Sequence, residues 1–243
     1  MLASLPRPFS ACVFGASGGI GAAIASALAN EDGVTVFAGS RSGGPEIPRT
    51  ASFAFDLIDE ASIAAVAAHV RDAPPLRLVF VATGQLHADD LRPEKSWRDQ
   101  TPDGYARAFA INATGPALIG KHLLPLLTRD GKSVFAALSA RVSSISDNRL
   151  GGWHAYRASK SALNMIVANF ARELAHSRKE AVAVTLHPGT VDTALSAPFQ
   201  RGVAEGKLFT PDYSAEKLIG VIDGLTPADS GGLFAWDGAR IGL

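Results

Sequence analysis

Short apolar runs alternate with helical patterns along most of this 243-residue chain, and that alternation limits the fold more than any other feature. The first run, "FSACVF" (9–14), is apolar or small throughout and is followed by glycines, as a strand buried on both faces requires. "GIGAAIASALAN" (19–30) has a helical pattern. "VTVFAG" (34–39) and "ASFAF" (51–55) are strands, and "DEASIAAVAAHVRD" (59–72) is a helix whose Asp59 suits the exposed N–H groups of a first turn. "RLVFVA" (77–82) is the next strand. A long helical stretch covers 103–127, where Pro116 and Pro125 should bend or end it. Then come strand 132–139, helix 155–177, strand 181–187, helix 213–224 and a last strand within "GGLFAW" (231–236).

Strands and helices in turn imply a parallel sheet with helices on both faces. Right-handed crossovers make it a doubly wound α/β domain of the Rossmann type, with about seven mostly parallel strands. Residues 1–243 form one domain: "RSGGPEIPR" (41–49) is a loop between two strands, not a linker. Hydrophobic residues at 47% and charged residues at 19% supply a substantial core. A formal net charge of +0, with no basic run, argues against nucleic acid or an anionic membrane as partner. Cys12, alone in an apolar run, is expected to be a reduced core thiol. No run of about 18 apolar residues is present, and the first residues lack the apolar stretch of a signal peptide, so a cytoplasmic location is expected.

"GASGGIG" (15–21) leaves the first strand and opens the first helix. A turn this sharp needs glycine at some positions, and a helix start offers unpaired N–H groups and a favourable dipole to an anion. A dinucleotide pyrophosphate fits both. At the tip of the second strand, "FAGSRSGG" offers Ser40 and Arg41 and no carboxylate. An acidic side chain there would bind ribose hydroxyls, whereas arginine accepts a 2′-phosphate, so NADP(H) is favoured and NAD(H) is the alternative.

"HAYRASKSALN" (154–164) carries Tyr156 and Lys160 four apart, on one face of a helix. Neither titrates near neutrality in isolation. A nearby ammonium favours the phenolate and is expected to lower the tyrosine pKa, which suits proton exchange with a carbonyl oxygen.

With these motifs in this order, the sequence resembles the short-chain dehydrogenase/reductase family over nearly its whole length, within a C-factor-like and carbonyl-reductase-like branch. The carriers are "GASGGIG", "FDL", "INATGP", "YRASK", "HPGTVDT" and the closing "WDG". The resemblance implies an oxidoreductase that moves hydride between a nicotinamide and a carbonyl or alcohol substrate. It places Gly15, Ser17, Gly19, Ile20 and Gly21 at the cofactor turn, and Asp56 with Leu57 at the adenine. Gly84 then lies close to the cofactor, and Pro188, Gly189, Val191 and Thr193 hold the nicotinamide amide. It makes Tyr156 the general acid/base and gives Lys160 two tasks, lowering the Tyr156 pKa and binding the nicotinamide ribose. It gives Asn112 a part in a proton relay. A homodimer or homotetramer formed through helices 103–127 and 155–177 is also implied.

The chain departs from the family at "VATG" (81–84), where "NNAG" is usual. The substrate-binding serine has three alignments: Ser139 by strand position, Ala140 by similarity to carbonyl reductases, and Ser143 by spacing from Tyr156. Ser139 is preferred because it ends the strand where the sheet opens. Residues of about 195–212 are expected to form a substrate lid with Phe199, Leu208 and Phe209 on its inner face. His87 and His154 lack a second ligand at useful spacing, so no metal site is expected. A C-factor-like nucleotide-binding signalling or scaffold protein with little turnover is the alternative function.

Overall fold

The computed structural model describes residues 2–43 and 46–243. Positions 44 and 45 of the 41–49 loop lie outside the described residues. An eight-stranded sheet forms the centre. Its first half is β1 (Phe9–Phe14), α1 (Gly19–Ala29), β2 (Val34–Ser40), β3 (Thr50–Ala54), α2 (Glu60–Arg71) and β4 (Leu76–Val81). The second half holds α3 (Pro102–Phe109), α4 (Gly115–Leu123), β5 (Ser133–Leu138), α5 (His154–Ser177) and β6 (Ala181–His187). The chain ends with β7 (Thr190–Val191), β8 (Leu208–Phe209), α6 (Pro211–Gly224), β9 (Leu233–Ala235) and β10 (Arg240–Ile241).

Strand order is β10-β9-β6-β5-β4-β1-β2-β3, with every neighbouring pair parallel except β9 and β10. The expected sheet of about seven strands gains β10, a two-residue antiparallel edge strand too short to leave a periodic signal. β7 and β8 pair with each other in a separate two-stranded ladder.

The apolar runs are explained by two cores, one on each face of the sheet. In β1, Phe9, Ala11 and Val13 join the core under α1 and α6, while Cys12 and Phe14 join the core under α2, α4 and α5. β4, β5 and β6 alternate in the same way. Period-two side-chain direction with apolar residues on both faces therefore makes each central strand read as one continuous apolar run. Asp59 caps α2, its Oδ1 accepting from the Ala61 N–H at 3.0 Å.

The stretch 103–127 is not one helix. α3 ends at Phe109, residues Ala110–Thr114 form a π turn, α4 follows, and a 3₁₀ turn carries Pro125. Pro116 has no N–H to donate toward the Asn112 carbonyl one turn back, and its ring crowds that carbonyl, so the helix widens there. The widening falls at Asn112.

Strand order reverses between β1 and β4. The carboxyl ends of these two strands part there, which opens the crevice where a doubly wound sheet holds its ligand.

Candidate active site

Two adjoining pockets share this crevice and form one long cleft. One, of about 300 Å³, is lined by the glycine turn, Ser40, Arg41, Asp56, Leu57 and the 82–85 segment after β4. The other, of about 480 Å³, runs from the turn past Leu138, Ser139, Tyr156 and Lys160 to Pro188 and Thr193. Ser17, Gly18, Arg41 and Ala82 to Gly84 line both, so the cleft is continuous.

Two positions of the turn, Gly15 and Gly21, admit no Cβ, so the main chain there stays bare beside the cleft. Gly15 has φ +92°, and a Cβ there would stand 3.1 Å from the Ala82 carbonyl carbon and the Thr83 main chain. A Cβ on Gly21 would overlap the Gly15 carbonyl oxygen. No side chain caps the α1 N-terminus and its first turn holds no acidic residue, which leaves its N–H groups and dipole for an anion. Gly15, Ser17, Gly19, Ile20 and Gly21 all line the cleft. The buried Thr83 Oγ1 has no hydrogen-bond partner among the described residues, a polar atom left over at the cleft wall.

At the far wall, α5 delivers Tyr156 and Lys160 from successive turns, and both are buried. The Lys160 ammonium donates to the Leu138 carbonyl at 2.7 Å, which ties α5 to the end of β5. Burial pushes the Lys160 amine down to about 7 and the Tyr156 phenol up to about 12. The expectation that Lys160 lowers the Tyr156 pKa is therefore reversed in the chain alone. Loss of water penalises the phenolate and the ammonium alike, and burial is the cause of both shifts.

Asn112 does not line the cleft. Fully buried at the π turn, its Oδ1 accepts from the Gln85 N–H at 2.8 Å, and its Nδ2 donates to the Gln85 carbonyl at 2.9 Å and to Ser159 Oγ at 3.1 Å. It clamps the loop after β4, beside Gly84, whose missing Cβ would lie 3.3 Å from Lys160 Nζ and 3.5 Å from Asn112 Oδ1. Asp56 and Leu57 line the first pocket; Asp56 Oδ1 also accepts from the Ile58 N–H at 3.1 Å. Pro188 and Thr193 line the second. Gly189, at φ +82°, and Val191 sit just behind, Val191 being buried and paired with Phe209.

Of the three serine alignments, Ser139 lines the cleft with Tyr156 and Lys160. Ser143 lies behind it, donating to the Ala140 carbonyl at 2.6 Å, accepting from Asn164 Nδ2 at 2.8 Å and standing 3.2 Å from Ser139 Oγ.

In the 195–212 segment the expected shared inner face of Phe199, Leu208 and Phe209 does not form. Leu195 lines the cleft, and the Phe199 ring packs 5.0 Å from Trp153 and 5.7 Å from His87. Pairing of β8 with β7 directs Phe209 onto Trp236 and Tyr213 instead, and Leu208 is 38% exposed. His87 Nε2 lies 3.2 Å from the carbonyls of both Ala194 and Leu195, where it ties the start of this segment down. His154 opens α5, half-buried.

Sequence reasoning missed Gln85, Glu94 and Trp153. Glu94 sits in "RPEKS" with no periodic or motif signal, and its contacts cross about sixty residues of chain. "GGWH" carried a signal, because two glycines before a tryptophan mark unusual backbone.

The short chain dehydrogenase family profile matches residues 10–203. Among curated proteins, the C-signal of Myxococcus xanthus is 39% identical over 137 residues, 56% of this chain and 76% of its own length. The 1-hydroxy-2-glutathionyl-2-methyl-3-butene dehydrogenase of Rhodococcus sp. (strain AD45) is 34% identical over 178 residues, 72% of this chain and 73% of that one. Among solved structures, an NADPH-bound carbonyl reductase from chicken fatty liver superposes with a TM-score of 0.82 over 98% of this chain and all of its own; at 24% identity it speaks to the fold. An NADP-bound short-chain dehydrogenase/reductase from Burkholderia multivorans is 25% identical, with a TM-score of 0.79 over 98% of this chain and 100% of that one. Among the described residues no helix is long and apolar enough to cross a membrane.

Proposed function

Because the chain belongs to the short chain dehydrogenase family, we propose that it is an NADP(H)-dependent oxidoreductase acting on a carbonyl or alcohol substrate, with Tyr156 as proton donor and acceptor. One observation carries this reading: Tyr156 and Lys160 are buried in the wall of the same cleft that the glycine turn opens. A dinucleotide would be held by the turn at 15–21, by Asp56 and Leu57, and by Pro188 and Thr193. Arg41, lining both parts of the cleft, would receive the 2′-phosphate. Once bound, the cofactor supplies the hydride; the protein supplies orientation and the proton.

In carbonyl reduction the Tyr156 hydroxyl donates its proton to the substrate oxygen. A phenol pushed up to about 12 by burial carries its proton at neutral pH, and is a weaker acid than a free phenol until a bound partner stabilises the phenolate. Lys160, anchored by the Leu138 carbonyl, holds the adjoining wall and offers its remaining donors to the cleft. Ser139 is assigned to the substrate oxygen because it shares that wall. Asn112 acts through position, keeping Gln85 and Gly84 close to the cleft. Assembly as a homodimer or homotetramer through the α3–α4 stretch and α5 belongs to the same reading; Met165, 63% exposed on α5, suits it.

The test is NADPH binding by fluorescence, followed by NADPH consumption with a panel of aldehydes, ketones and quinones. Turnover lost in Tyr156→Phe with binding retained supports the reading. The likeness to the C-signal favours a second reading, a nucleotide-binding protein with little turnover. Tight binding with no consumption on any panel member, at high protein concentration, would select it.

A further inference from the structure

Residues 151 to 153 form a run of left-handed backbone directly before α5: Gly151 has φ +64°, Gly152 φ +67° and Trp153 φ +51°. Glycine adopts this conformation freely, but a tryptophan in it is strained and must be held by its surroundings. The helix that follows does not secure its own start. The side chain of its N-cap residue, Trp153, accepts no bond from the first turn, and that turn has no acidic residue. The first N–H groups of α5 therefore need a partner from elsewhere in the chain. Tyr156 is the third residue of the helix, so the proposed proton donor sits where α5 is least secured by its own hydrogen bonds.

Glu94 supplies the missing partner twice over. Its carbonyl accepts from the Trp153 N–H at 2.6 Å. Its carboxylate is only 8% exposed, and the Ala155 N–H points at both oxygens, at 3.3 and 3.4 Å. Glu94 thus holds the chain at the residue before α5 and at the second residue inside it. The carboxylate also abuts the first turn of α3, where a Cβ on Gly104 would lie 3.7 Å from Oε1. No ion pair among the described residues involves Glu94. The positive ends of two helices stand in for a cation. Glu94 and Tyr156 line one cavity of only about 20 Å³, room for about one water, which leaves little space for either to shift. At the other end of the same loop Asn112 clamps Gln85. The 85–94 segment is therefore fixed at both ends, and one end is the helix turn that carries Tyr156.

We infer that Glu94 is a positioning residue for Tyr156: its carbonyl and its buried carboxylate together order the left-handed entry and the first turn of α5, and the Tyr156 hydroxyl keeps its place in the cleft through them. The inference rests on the oxidoreductase reading for the task of Tyr156. Lys160 lies one turn further on and has its own anchor in the Leu138 carbonyl. Loss of the Glu94 side chain should therefore loosen the tyrosine and spare the lysine and the glycine turn.

The test uses the full chain with Glu94→Ala, which removes the carboxylate, and Glu94→Gln, which keeps its shape and one acceptor oxygen. The main-chain carbonyl remains in both. On the panel carbonyl compound that the unaltered chain reduces fastest, kcat should fall about tenfold in Glu94→Ala and about threefold in Glu94→Gln. KM and the NADPH Kd from fluorescence should change by less than about twofold. Hydrogen exchange gives a second measurement that needs no turnover. The amides of Ala155 and Arg157 should exchange about tenfold faster in Glu94→Ala, with those from Lys160 onward unchanged. An unchanged kcat in Glu94→Ala overturns the inference. So does NADPH binding that weakens in step with kcat, or faster exchange along the whole of α5, because Glu94 would then support the fold and not the tyrosine. If the unaltered chain reduces no panel compound, faster exchange confined to Ala155 and Arg157 would support the hold on the first turn while removing the oxidoreductase reading.

Discussion

Lys160 Nζ donates to the Leu138 carbonyl at 2.7 Å, so a buried ammonium joins the second turn of α5 to the last residue of β5. The bond positions the lysine, but burial leaves the charge poorly solvated and lowers the amine to about 7. In the unfolded chain an ordinary lysine titrates near ~10.4. Between these values the unfolded state binds more protons than the folded one, so stability rises with pH from about 7 to about 10 and carries a constant penalty below about 7. Lys160→Met should abolish turnover, remove that slope and stabilise the fold by about 1–3 kcal/mol at neutral pH. Thermal melts of both proteins across this range check it; a Tm lowered by the substitution contradicts it.

Tyr156 predicts an asymmetry between the two directions of reaction. With the phenol pushed up to about 12, reduction should show no falling limb from this group between about pH 6 and about pH 9. Oxidation of an alcohol, which needs the phenolate, should rise steadily over the same range. Tyr156→Phe should cost at least about 100-fold in kcat in both directions. A reduction profile that collapses above about pH 8 would show that the bound state lowers this phenol well below its value in the chain alone.

Arg41 predicts cofactor choice. Arg41→Ala should weaken NADPH by about tenfold or more and leave NADH nearly unchanged, because the loss is confined to the 2′-phosphate. Arg41→Asp should go further and favour NADH. Titration of both cofactors by fluorescence checks this, and equal losses for the two would refute the assignment.

Ser139 and Ser143 should separate into activity and stability. Ser143→Ala removes the acceptor for the buried Asn164 amide and breaks the bond to the Ala140 carbonyl, so it should cost about 1–3 kcal/mol with kcat little changed per folded molecule. Ser139→Ala should lower kcat/KM with a smaller change in Tm. Denaturant melts beside steady-state kinetics decide between them; the reverse pattern makes Ser143 the substrate serine.

Asn112→Ala should loosen the loop after β4. Three hydrogen bonds are lost, two of them to the main chain of Gln85, for a cost of about 2–4 kcal/mol. Hydrogen exchange at Gln85 should speed up together with the loss of activity. Activity lost with protection at Gln85 intact would favour a direct proton-relay role.

The layered α/β fold, the glycine turn and the Tyr156–Lys160 pair were legible in the sequence because each rests on local rules. Buried parallel strands must be apolar on both faces, a turn with positive φ at Gly15 calls for glycine, and residues four apart share a helix face. Tertiary structure alone decided the rest. The break of the 103–127 helix at Asn112 follows from where Pro116 meets a carbonyl one turn back. The turning of Phe209 away from the cleft follows from a two-residue ladder. The direction of the Tyr156 shift follows from how completely packing removes water. Trp153 is held left-handed by Glu94, a residue far away in the chain, and no local pattern encodes a contact whose partners meet only when the sheet closes over them.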